Sequence, residues 1–555
     1  MKVAPIVLGL AACGAVTSLV RCSSDDTTCT GGTDACSDVA PAPLTVSLTP
    51  YEVWVQPNDA PTILVTLGRG PGGAGDVGVS IEADGGVTAD PLTIPAASSQ
   101  GTLVLHIEPA FNQGETTLTV DCATTNVLAQ ASLVVHVAGA SGTPDTSFGS
   151  GGFLDLTPST GDDVAHAVIA LQSGVLIGGT HTEQADASTV STMKVLRVTS
   201  AGALDTTFTI TSAPGELASL AMLPSGDTFA VGDVRTPKAD FAAVRILANG
   251  GLDPVYAVST SLTSGDDLAL AGAIQPNGEL VAAGSAGDAS AFAVVRYTQS
   301  AAPIDAGLVD GATDAPLDAP LDAPLEATVD AGLPDGTPVL DPTFGSGGVT
   351  LTSFAQPSAG ASSLLVAPDG SLFALGFAQG TVTDIAAVAY TPSGAVNGAY
   401  GEAGVSMVPL STGTFGAAAA LLDPDGSVVV ASDDNGQALA LRLLPSGALD
   451  ASFGAAGLAA ITIGSSSAAR ALARDPATGN LLVAGATGAP HQCFIARLTP
   501  AGALDATFAS QGTLVVAGGT CDVAAVAIDD NGMILLLETL TQGTATHMGV
   551  ARYWP

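Results

Sequence analysis

Arginine and aspartate recur eight residues apart along most of the chain. The pairs that keep this spacing are Arg197 with Asp205, Arg245 with Asp253, Arg442 with Asp450, and Arg497 with Asp505. Where Ala389 replaces the arginine, Asn397 stands eight residues later. Because a lone buried charge costs roughly 3–5 kcal/mol, the joint loss of both charges indicates structural ion pairs. The alternative interpretation is a set of anion-binding sites.

Other chemistry-bearing residues show no catalytic or metal-binding pattern. The runs Gly149–Gly152 and Gly345–Gly348 lack the Lys-Ser/Thr of a phosphate loop, so they are predicted to be turns. Acidic turns such as Asp423–Gly426 and Asp529–Gly532 lack the spacing of a calcium loop with its distal Glu, which leaves weak calcium binding as the alternative to solvated turns. The six histidines are scattered: His106, His136, His166, His181, His491 and His547.

No HExxH, GxSxG or Cys/His nucleophile arrangement is found in the sequence. We therefore predict no enzyme activity, no cofactor and no metal site. A catalytic set assembled from several repeats is the alternative.

Composition excludes some partners. The chain has 14 basic and 52 acidic residues and a net charge of −38, which argues against nucleic acid and anionic membrane surfaces as ligands. Only 12% of residues are charged, and the mean hydropathy is +0.45. This composition predicts many short buried strands joined by tight turns.

The N-terminus has the pattern of an export signal. Lys2 precedes an apolar stretch from Val3 to Val20, so residues 1–21 are predicted to be a signal peptide. Cys13 follows Leu-Ala-Ala, as in a bacterial lipobox, and Cys22 precedes a polar tether over residues 22–42. Either cysteine is a lipidation candidate, although Arg21 departs from the usual pattern. We expect an exported outer-membrane lipoprotein; a secreted protein is the alternative.

The remaining cysteines have no zinc spacing. Cys29 with Cys36, and Cys493 with Cys521, are candidate disulfides, and Cys122 is expected to be an isolated buried thiol.

Residues 43–138 alternate apolar and polar side chains over six runs separated by Gly, Pro and Asp turns. This pattern predicts a β-sandwich, and the segment resembles a bacterial immunoglobulin-like domain.

Seven copies of one motif follow from residue 143. Its acidic or amide position is Asp145, Asp205, Asp253, Asp341, Asn397, Asp450 and Asp505, and an aromatic residue stands three positions later in each copy. The longest interval contains residues 299–338, an Asp/Ala/Pro segment predicted to be disordered. Each repeat has four strand-like runs within roughly 50 residues, as propeller blades do.

The pattern LDxxFGxxG…AxAxxxPDGxxxxAG…ARxxxxGxLD resembles the delta-60 repeat of exported bacterial β-propellers. The resemblance covers residues 143–555 and implies an all-β, seven-bladed β-propeller after the sandwich. That family has no established catalytic activity. Closure of the ring by the first repeat predicts that Arg552 meets Asp145, and that Arg296 meets Asp341 across the insert.

These observations favour a binding or scaffold protein of the cell envelope that recognises an extracellular protein or glycan. The membrane is contacted only through a possible N-terminal lipid. A propeller hydrolase or lyase acting on an extracellular polymer is the alternative, and it would place clustered carboxylates or histidines in the central channel.

Overall fold

The chain forms two β units, which are separated between Ala140 and Ser141. The computed structural model describes residues 44–55, 60–69, 75–81, 86–108, 114–124, 128–156, 161–185, 188–208, 211–235, 237–287, 291–298, 338–410, 417–488, 491–516, 520–543 and 545–555. All regular elements in these ranges are strands. None of the described segments forms a helix with the length and apolarity needed to cross a membrane. The predicted signal peptide, tether and Asp/Ala/Pro segment lie outside the described residues, apart from Pro338.

The first unit consists of two sheets around a shared core. Its strands are β1 (Leu44–Thr49), β2 (Glu52–Val55), β3 (Thr62–Arg69), β4 (Val77–Ile81), β5 (Val87–Ala89), β6 (Leu92–Ile94), β7 (Gln100–Ile107), β8 (Gly114–Ala123) and β9 (Leu128–Val137). The sheet orders are β1-β3-β7-β5 and β2-β9-β8-β4-β6. Alternating residues point into one core, as in β1, where Leu44, Val46 and Leu48 are buried and their neighbours are exposed.

The second unit contains, in the described ranges, seven four-stranded antiparallel sheets. The first has β11 (Asp162–Leu171), β12 (Gly174–Ala185), β13 (Ser188–Thr199) and β14 (Thr211–Pro214); the second has β15 (Glu216–Met222), β16 (Thr228–Arg235), β17 (Ala239–Ile246) and β18 (Leu252–Thr260). The third has β19 (Asp267–Ile274), β20 (Leu280–Ala286), β21 (Ala291–Tyr297) and β22 (Val349–Ser353); the fourth has β23 (Ser358–Val366), β24 (Leu372–Gln379), β25 (Thr383–Tyr390) and β26 (Val405–Pro409). The fifth has β27 (Ala419–Leu422), β28 (Val428–Asp434), β29 (Gln437–Leu443) and β30 (Leu458–Ile461); the sixth has β31 (Ser467–Arg474), β32 (Leu481–Thr487), β33 (Cys493–Leu498) and β34 (Thr513–Val515). The seventh combines β35 (Cys521–Ile528), β36 (Ile534–Gln542) and β37 (Ala545–Tyr553) with β10 (Phe153–Leu156).

The sheets follow one another in a closed ring. The first strand of each sheet contacts the first strand of the next, and β35 of the seventh sheet contacts β11 of the first. A hydrophobic core lies between each neighbouring pair of sheets. In the closing pair, Leu535 and Leu537 of β36 pack with Val175 and Ile177 of β12. Each sheet therefore buries both faces against its neighbours, which explains the continuous apolar runs in the middle strands.

The sequence repeat and the sheet are offset by one strand. The strand that follows each motif is the outermost strand of the preceding sheet, as β14, β18 and β22 show. At the seam, β10 pairs with β37 in the register Phe153 with Ala551 and Leu156 with Met548. The N-terminal end of the unit thus completes the sheet formed by its C-terminal end, and both strands gain a hydrogen-bonding neighbour.

Candidate functional site

The arginine and aspartate of each predicted pair lie in direct contact. In the six arginine-bearing sheets of the described chain, Nε of arginine donates a hydrogen bond to Oδ2 of aspartate. The distances are 2.7 Å for Arg197–Asp205, 2.6 Å for Arg245–Asp253, 2.8 Å for Arg296–Asp341, 2.7 Å for Arg442–Asp450, 2.8 Å for Arg497–Asp505 and 2.7 Å for Arg552–Asp145. These contacts therefore join Arg296 to Asp341 across the insert. They also join Arg552, near the C-terminal end of the repeat region, to Asp145, near its N-terminal end.

The other carboxylate oxygen holds the turn of the motif. Oδ1 of Asp450 accepts hydrogen bonds from the backbone N–H of Ser452 at 2.9 Å and from its hydroxyl at 2.6 Å. These bonds and the Arg442 guanidinium lower the pKa of Asp450 to about 2. Thr207 and Arg197 have the same effect on Asp205, whose pKa is also about 2. Asp205 and Asp450 are therefore ionised at neutral pH, and their carboxylate oxygens are hydrogen-bonded within the fold.

The guanidinium groups also join neighbouring sheets. Each lies over the motif's aromatic ring, at 4.7 Å from the Phe148 centroid for Arg552 and 5.5 Å from the Tyr256 centroid for Arg245. In four of the six, Nη1 donates to a carbonyl in the turn of the next sheet, as from Arg296 to Pro392 at 2.8 Å. This geometry favours the structural interpretation over a set of anion sites, because the guanidinium donors bond to the protein itself.

The innermost strands position a different set of side chains, which the sequence analysis did not single out. The register shifts by one residue near the middle of six of these strands among the described residues. The residues at the shifts are His166, Ala218, Leu270, Ser362, Arg470 and Ala524. In the fifth sheet the corresponding residue is Ala418, whose N–H donates to the carbonyl of Ala431 at 2.9 Å. A bulge redirects one side chain, so each sheet contributes one residue to the ring interior.

All seven bulge-position residues line one cavity of about 540 Å³, which we name the central cavity. Most of its other lining residues are Ala, Leu, Ser or Gly. The type of residue at the bulge differs between sheets, although the residues on either side of it are mostly small and repeated. Three of the seven residues are alanine and the others are His, Leu, Ser and Arg, and this variation inside an otherwise regular repeat was the available sequence signal for the site.

The charged groups of the central cavity are His166, Glu216, Asp233 and Arg470. Burial raises the pKa of Asp233 to about 6, against the opposing effect of Arg235, and Oδ2 of Asp233 has no hydrogen-bond partner among the described residues. Burial lowers the pKa of His166, and Glu216 acts in the opposite direction. Burial also lowers the pKa of Arg470. Three of these groups lie on the first and second sheets, and Arg470 lies on the sixth sheet.

A second buried group of polar side chains lies in the sixth and seventh sheets. Cys493 and Cys521 form a disulfide bond, and their sulfur atoms and a Glu538 oxygen lie within 4.8 Å of one another. Burial raises the pKa of Glu538 to about 7, and Oε2 has no hydrogen-bond partner in the described part of the chain. Because the two sulfur atoms are bonded to each other, they are not available as thiolate ligands.

The other candidates from the sequence lie apart. His181 contacts Asp163 at 2.7 Å, and His106 contacts Asp90 at 2.9 Å. In the acidic turn at residues 529–532, Oδ1 of Asp529 accepts hydrogen bonds from the backbone N–H groups of Asn531 and Met533. This oxygen therefore stabilises the turn. Cys122 is a free, buried cysteine, and burial raises its pKa to about 11. Cys13, Cys22, Cys29 and Cys36 lie outside the described residues.

One family match to part of the chain names a propeller. Residues 424–453 match the family described as "Domain of unknown function (DUF5122) beta-propeller". The fold is similar to that of a quinoprotein alcohol dehydrogenase-like protein from Bacteroides thetaiotaomicron VPI-5482, at 10% identity and a TM-score of 0.36, covering 84% of this chain and 95% of that one. Domains 5–6 of the S-layer protein SbsC match at 16% identity and a TM-score of 0.15, covering 40% of this chain and 98% of that one. No curated protein has a significant sequence match to the chain. The chain is all-β, and its repeat region is a β-propeller.

Proposed function

We propose that this chain is an exported binding or scaffold protein of the cell envelope. In this proposal a seven-bladed propeller of delta-60 type follows an immunoglobulin-like domain, and the ligand enters the central cavity. The observation that carries the proposal is the lining of that cavity. Most of its lining residues are small, polar side chains are interspersed among them, and such a mixed lining suits recognition of a ligand.

The polar groups of the cavity suit a hydroxyl-rich ligand. Ser219, Ser362 and Ser363 supply hydroxyl groups, and Glu216 and Asp233 supply acceptors on the adjoining wall. Sugar hydroxyls both donate and accept hydrogen bonds, so an extracellular glycan matches this mixture. A surface protein that inserts a polar loop is the competing ligand within the same function.

The test is a binding screen of the full chain against arrays of bacterial and host glycans and against extracellular surface proteins. Ala218→Trp places an indole ring at a bulge position and fills part of the cavity, so it is expected to weaken binding at least tenfold. Leu351→Trp, on the exposed outermost strand of the third sheet, is the matched control and should bind normally. Binding that survives Ala218→Trp would place the ligand elsewhere and contradict the proposal.

A second candidate is a hydrolase or lyase that acts on an extracellular polymer. The observation that favours it is the raised pKa of Asp233, about 6, beside His166 and Glu216 in the same cavity. A carboxylic acid with such a pKa can donate a proton near neutral pH. Incubation of the full chain with a panel of polysaccharides should then release new chain ends, and Asp233→Asn should reduce the rate by roughly 10²-fold. Absence of product from every polymer would remove this candidate.

A further inference from the structure

The fourth sheet lacks the arginine that fills the same position in the other six sheets described. Ala389 occupies that position, and the space left beside it is part of a cavity of about 670 Å³. The corresponding space of the seventh sheet, where Arg552 is present, measures about 20 Å³. Both cavities are formed by the same parts of the fold. Each is lined by the turn after the innermost strand of its own sheet and by the equivalent turn of the next sheet. Each is also lined by the residue three positions after the arginine of that next sheet, which is Pro445 in the larger cavity and Ser200 in the smaller one. We name the larger one the fourth-sheet pocket.

The surroundings of a guanidinium group are largely retained there. The motif's aromatic residue is Tyr400, which is buried and lies edge-on to Phe373 at 5.6 Å. The second sheet has the same aromatic pair, Phe229 and Tyr256, and there Arg245 lies over the tyrosine ring. An arginine side chain is therefore compatible with a Phe–Tyr pair in this fold.

The carbonyl acceptor also has a counterpart. In four of the described sheets Nη1 of arginine donates to the carbonyl of Ala248, Pro392, Pro500 or Ser200 in the next sheet. Each acceptor stands three residues after the arginine position of its own sheet. The residue at that place in the fifth sheet is Pro445, which lines the fourth-sheet pocket.

The charge of the pocket is negative. Asn397 keeps the turn, because its Oδ1 accepts the N–H of Ala399 at 3.2 Å, but it brings no charge. The carboxylates come instead from two neighbouring turns, with Asp369 and Asp425 exposed at the rim and Asp423 buried. Asp423 is bonded to Arg474, whereas the backbone N–H of Ser427 and its hydroxyl help to keep the pKa of Asp425 low. The pocket thus combines the rings of Phe373 and Tyr390, the turn residue Pro445 and an anionic rim.

We propose that the fourth-sheet pocket binds the guanidinium group of an arginine side chain from a partner protein. The guest side chain would occupy the place that the chain's own arginine fills in the other sheets, lying against the Phe373 ring and pairing with Asp425. A planar guanidinium group stacks flat on an aromatic ring and donates hydrogen bonds in a fixed fork, whereas an ammonium group is a compact charge without that planar geometry. The proposal does not depend on a ligand in the central cavity.

The experiment measures binding of N-acetyl-arginine amide and N-acetyl-lysine amide to the full chain by calorimetry. The arginine probe is expected to bind at least tenfold more tightly than the lysine probe. The matched variant is Ala389→Arg combined with Asn397→Asp, which restores the pair found in the other sheets. It should fold, melt at a higher temperature than the unaltered chain, and lose at least tenfold in affinity for the arginine probe.

Two further variants separate the possible outcomes. Asp425→Asn should weaken binding several-fold, and Ala218→Trp, in the central cavity, should leave it unchanged. Equal binding of the two probes, no binding of either, or full binding by the double variant would overturn the proposal. Loss of glycan or protein binding by Ala218→Trp concerns only the central cavity, so failure of one proposal can be told from failure of the other.

Discussion

The motif arginines link three parts of the fold through one side chain. Arg442 bonds to Asp450, lies 5.1 Å from the Phe453 ring centroid and donates to the Pro500 carbonyl of the next sheet at 3.2 Å. Its side chain is 20% exposed and that of Asp450 is 10% exposed, so solvent screens the pair only weakly. The pair and the stacking interaction therefore act together across the interface between two sheets.

We expect Arg442→Ala to lower the free energy of unfolding by on the order of 3 kcal/mol, because Asp450 is left without its cation. Arg442→Lys should recover only part of the loss, since lysine lacks the planar group. Denaturant unfolding measures both changes. Glu402→Ala, which removes an exposed carboxylate at a turn, is the control and should change stability by less than about 1 kcal/mol. An unaltered transition for Arg442→Ala would contradict the structural role of the pairs.

Glu538 stands where five other sheets have glycine. At the corresponding Gly232 and Gly284, an added Cβ would lie 1.9 Å and 1.8 Å from a backbone carbonyl oxygen, so glycine is required there by close approach. The seventh sheet instead buries a carboxyl group that has no countercharge to stabilise its ionised form. This arrangement makes stability depend on pH.

The pKa of Glu538 is about 7 in the folded chain and about 4.5 ordinarily. Between these values the folded chain keeps a proton that the unfolded chain has lost, so stability falls as pH rises from about 4.5 to 7 and stays lower above it. Glu538→Gln should therefore be more stable than the unaltered chain at pH 8, by about 3 kcal/mol, and nearly equal to it at pH 4. Chemical denaturation at both pH values checks this. Glu402→Gln, at an exposed turn, is the control; a pH-independent difference would argue against burial as the cause.

At the level of elements, the innermost strand of each sheet lines the central cavity, whereas the insert follows β21, the arginine-bearing strand of the third sheet. The bulged innermost strands direct the varied residues into the central cavity, whereas the arginine-bearing strands lie further out. The insert leaves the third sheet beyond Thr298 and returns at Val339, where the N–H of Thr298 donates to the Val339 carbonyl at 2.9 Å. Tyr297 and Leu340 form an isolated antiparallel β-bridge, and the side chains of the adjacent Arg296 and Asp341 are hydrogen-bonded. The two ends of the insert are thus as close as the ends of an ordinary turn.

Replacing residues 299–338 with Pro-Ser-Gly, the turn found at residues 445–447, is expected to leave a folded ring. The corresponding fifth-sheet turn joins the same two strand ends, with the N–H of Leu444 bonded to the Ala448 carbonyl at 2.8 Å. The melting temperature should stay within a few degrees, because the removed segment closes a loop whose ends are already paired. Calorimetry and circular dichroism measure the outcome. Loss of the cooperative transition would show that the segment packs on the ring.

At the level of the whole molecule, the propeller closes on residues that are far apart in sequence. Arg552 bonds to Asp145, and β10 completes the seventh sheet, so the outer edge of β37 is paired. Closure also couples every sheet to two neighbours through the cores between them. We therefore expect the repeat region to unfold as one cooperative unit.

The proposed anchor is tested on the whole protein in its host cell. Cys13→Ser combined with Cys22→Ser should release the protein from membranes, because an acyl chain contributes roughly 0.8 kcal/mol for each buried CH₂ group. Fractionation and labelling with a fatty-acid analogue measure this release. Each single variant then identifies the modified cysteine, and Cys122→Ser is the control. Retention of the double variant in the membrane fraction would contradict lipidation.

Much of the fold could be predicted from the sequence, because its main interactions repeat. The joint loss of Arg and Asp at Ala389 and Asn397 pointed to a paired contact, and the motif spacing pointed to propeller sheets. These predictions depend on local hydrogen bonds and strand patterns that every repeat must satisfy. The central cavity could not be predicted in the same way, because it depends on which residue of each innermost strand lies at a bulge.

The sequence by itself therefore determined the all-β class, the repeat unit and the partners of the motif arginines. Only the tertiary structure decided that His166, Arg470 and five uncharged residues, three of them alanine, share one cavity, and that the space beside Ala389 is open. The physical reason is that a repeat specifies contacts within and between adjacent units. A cavity forms from side chains that come together only after all the sheets have closed, and there the residues that differ between repeats determine the chemistry.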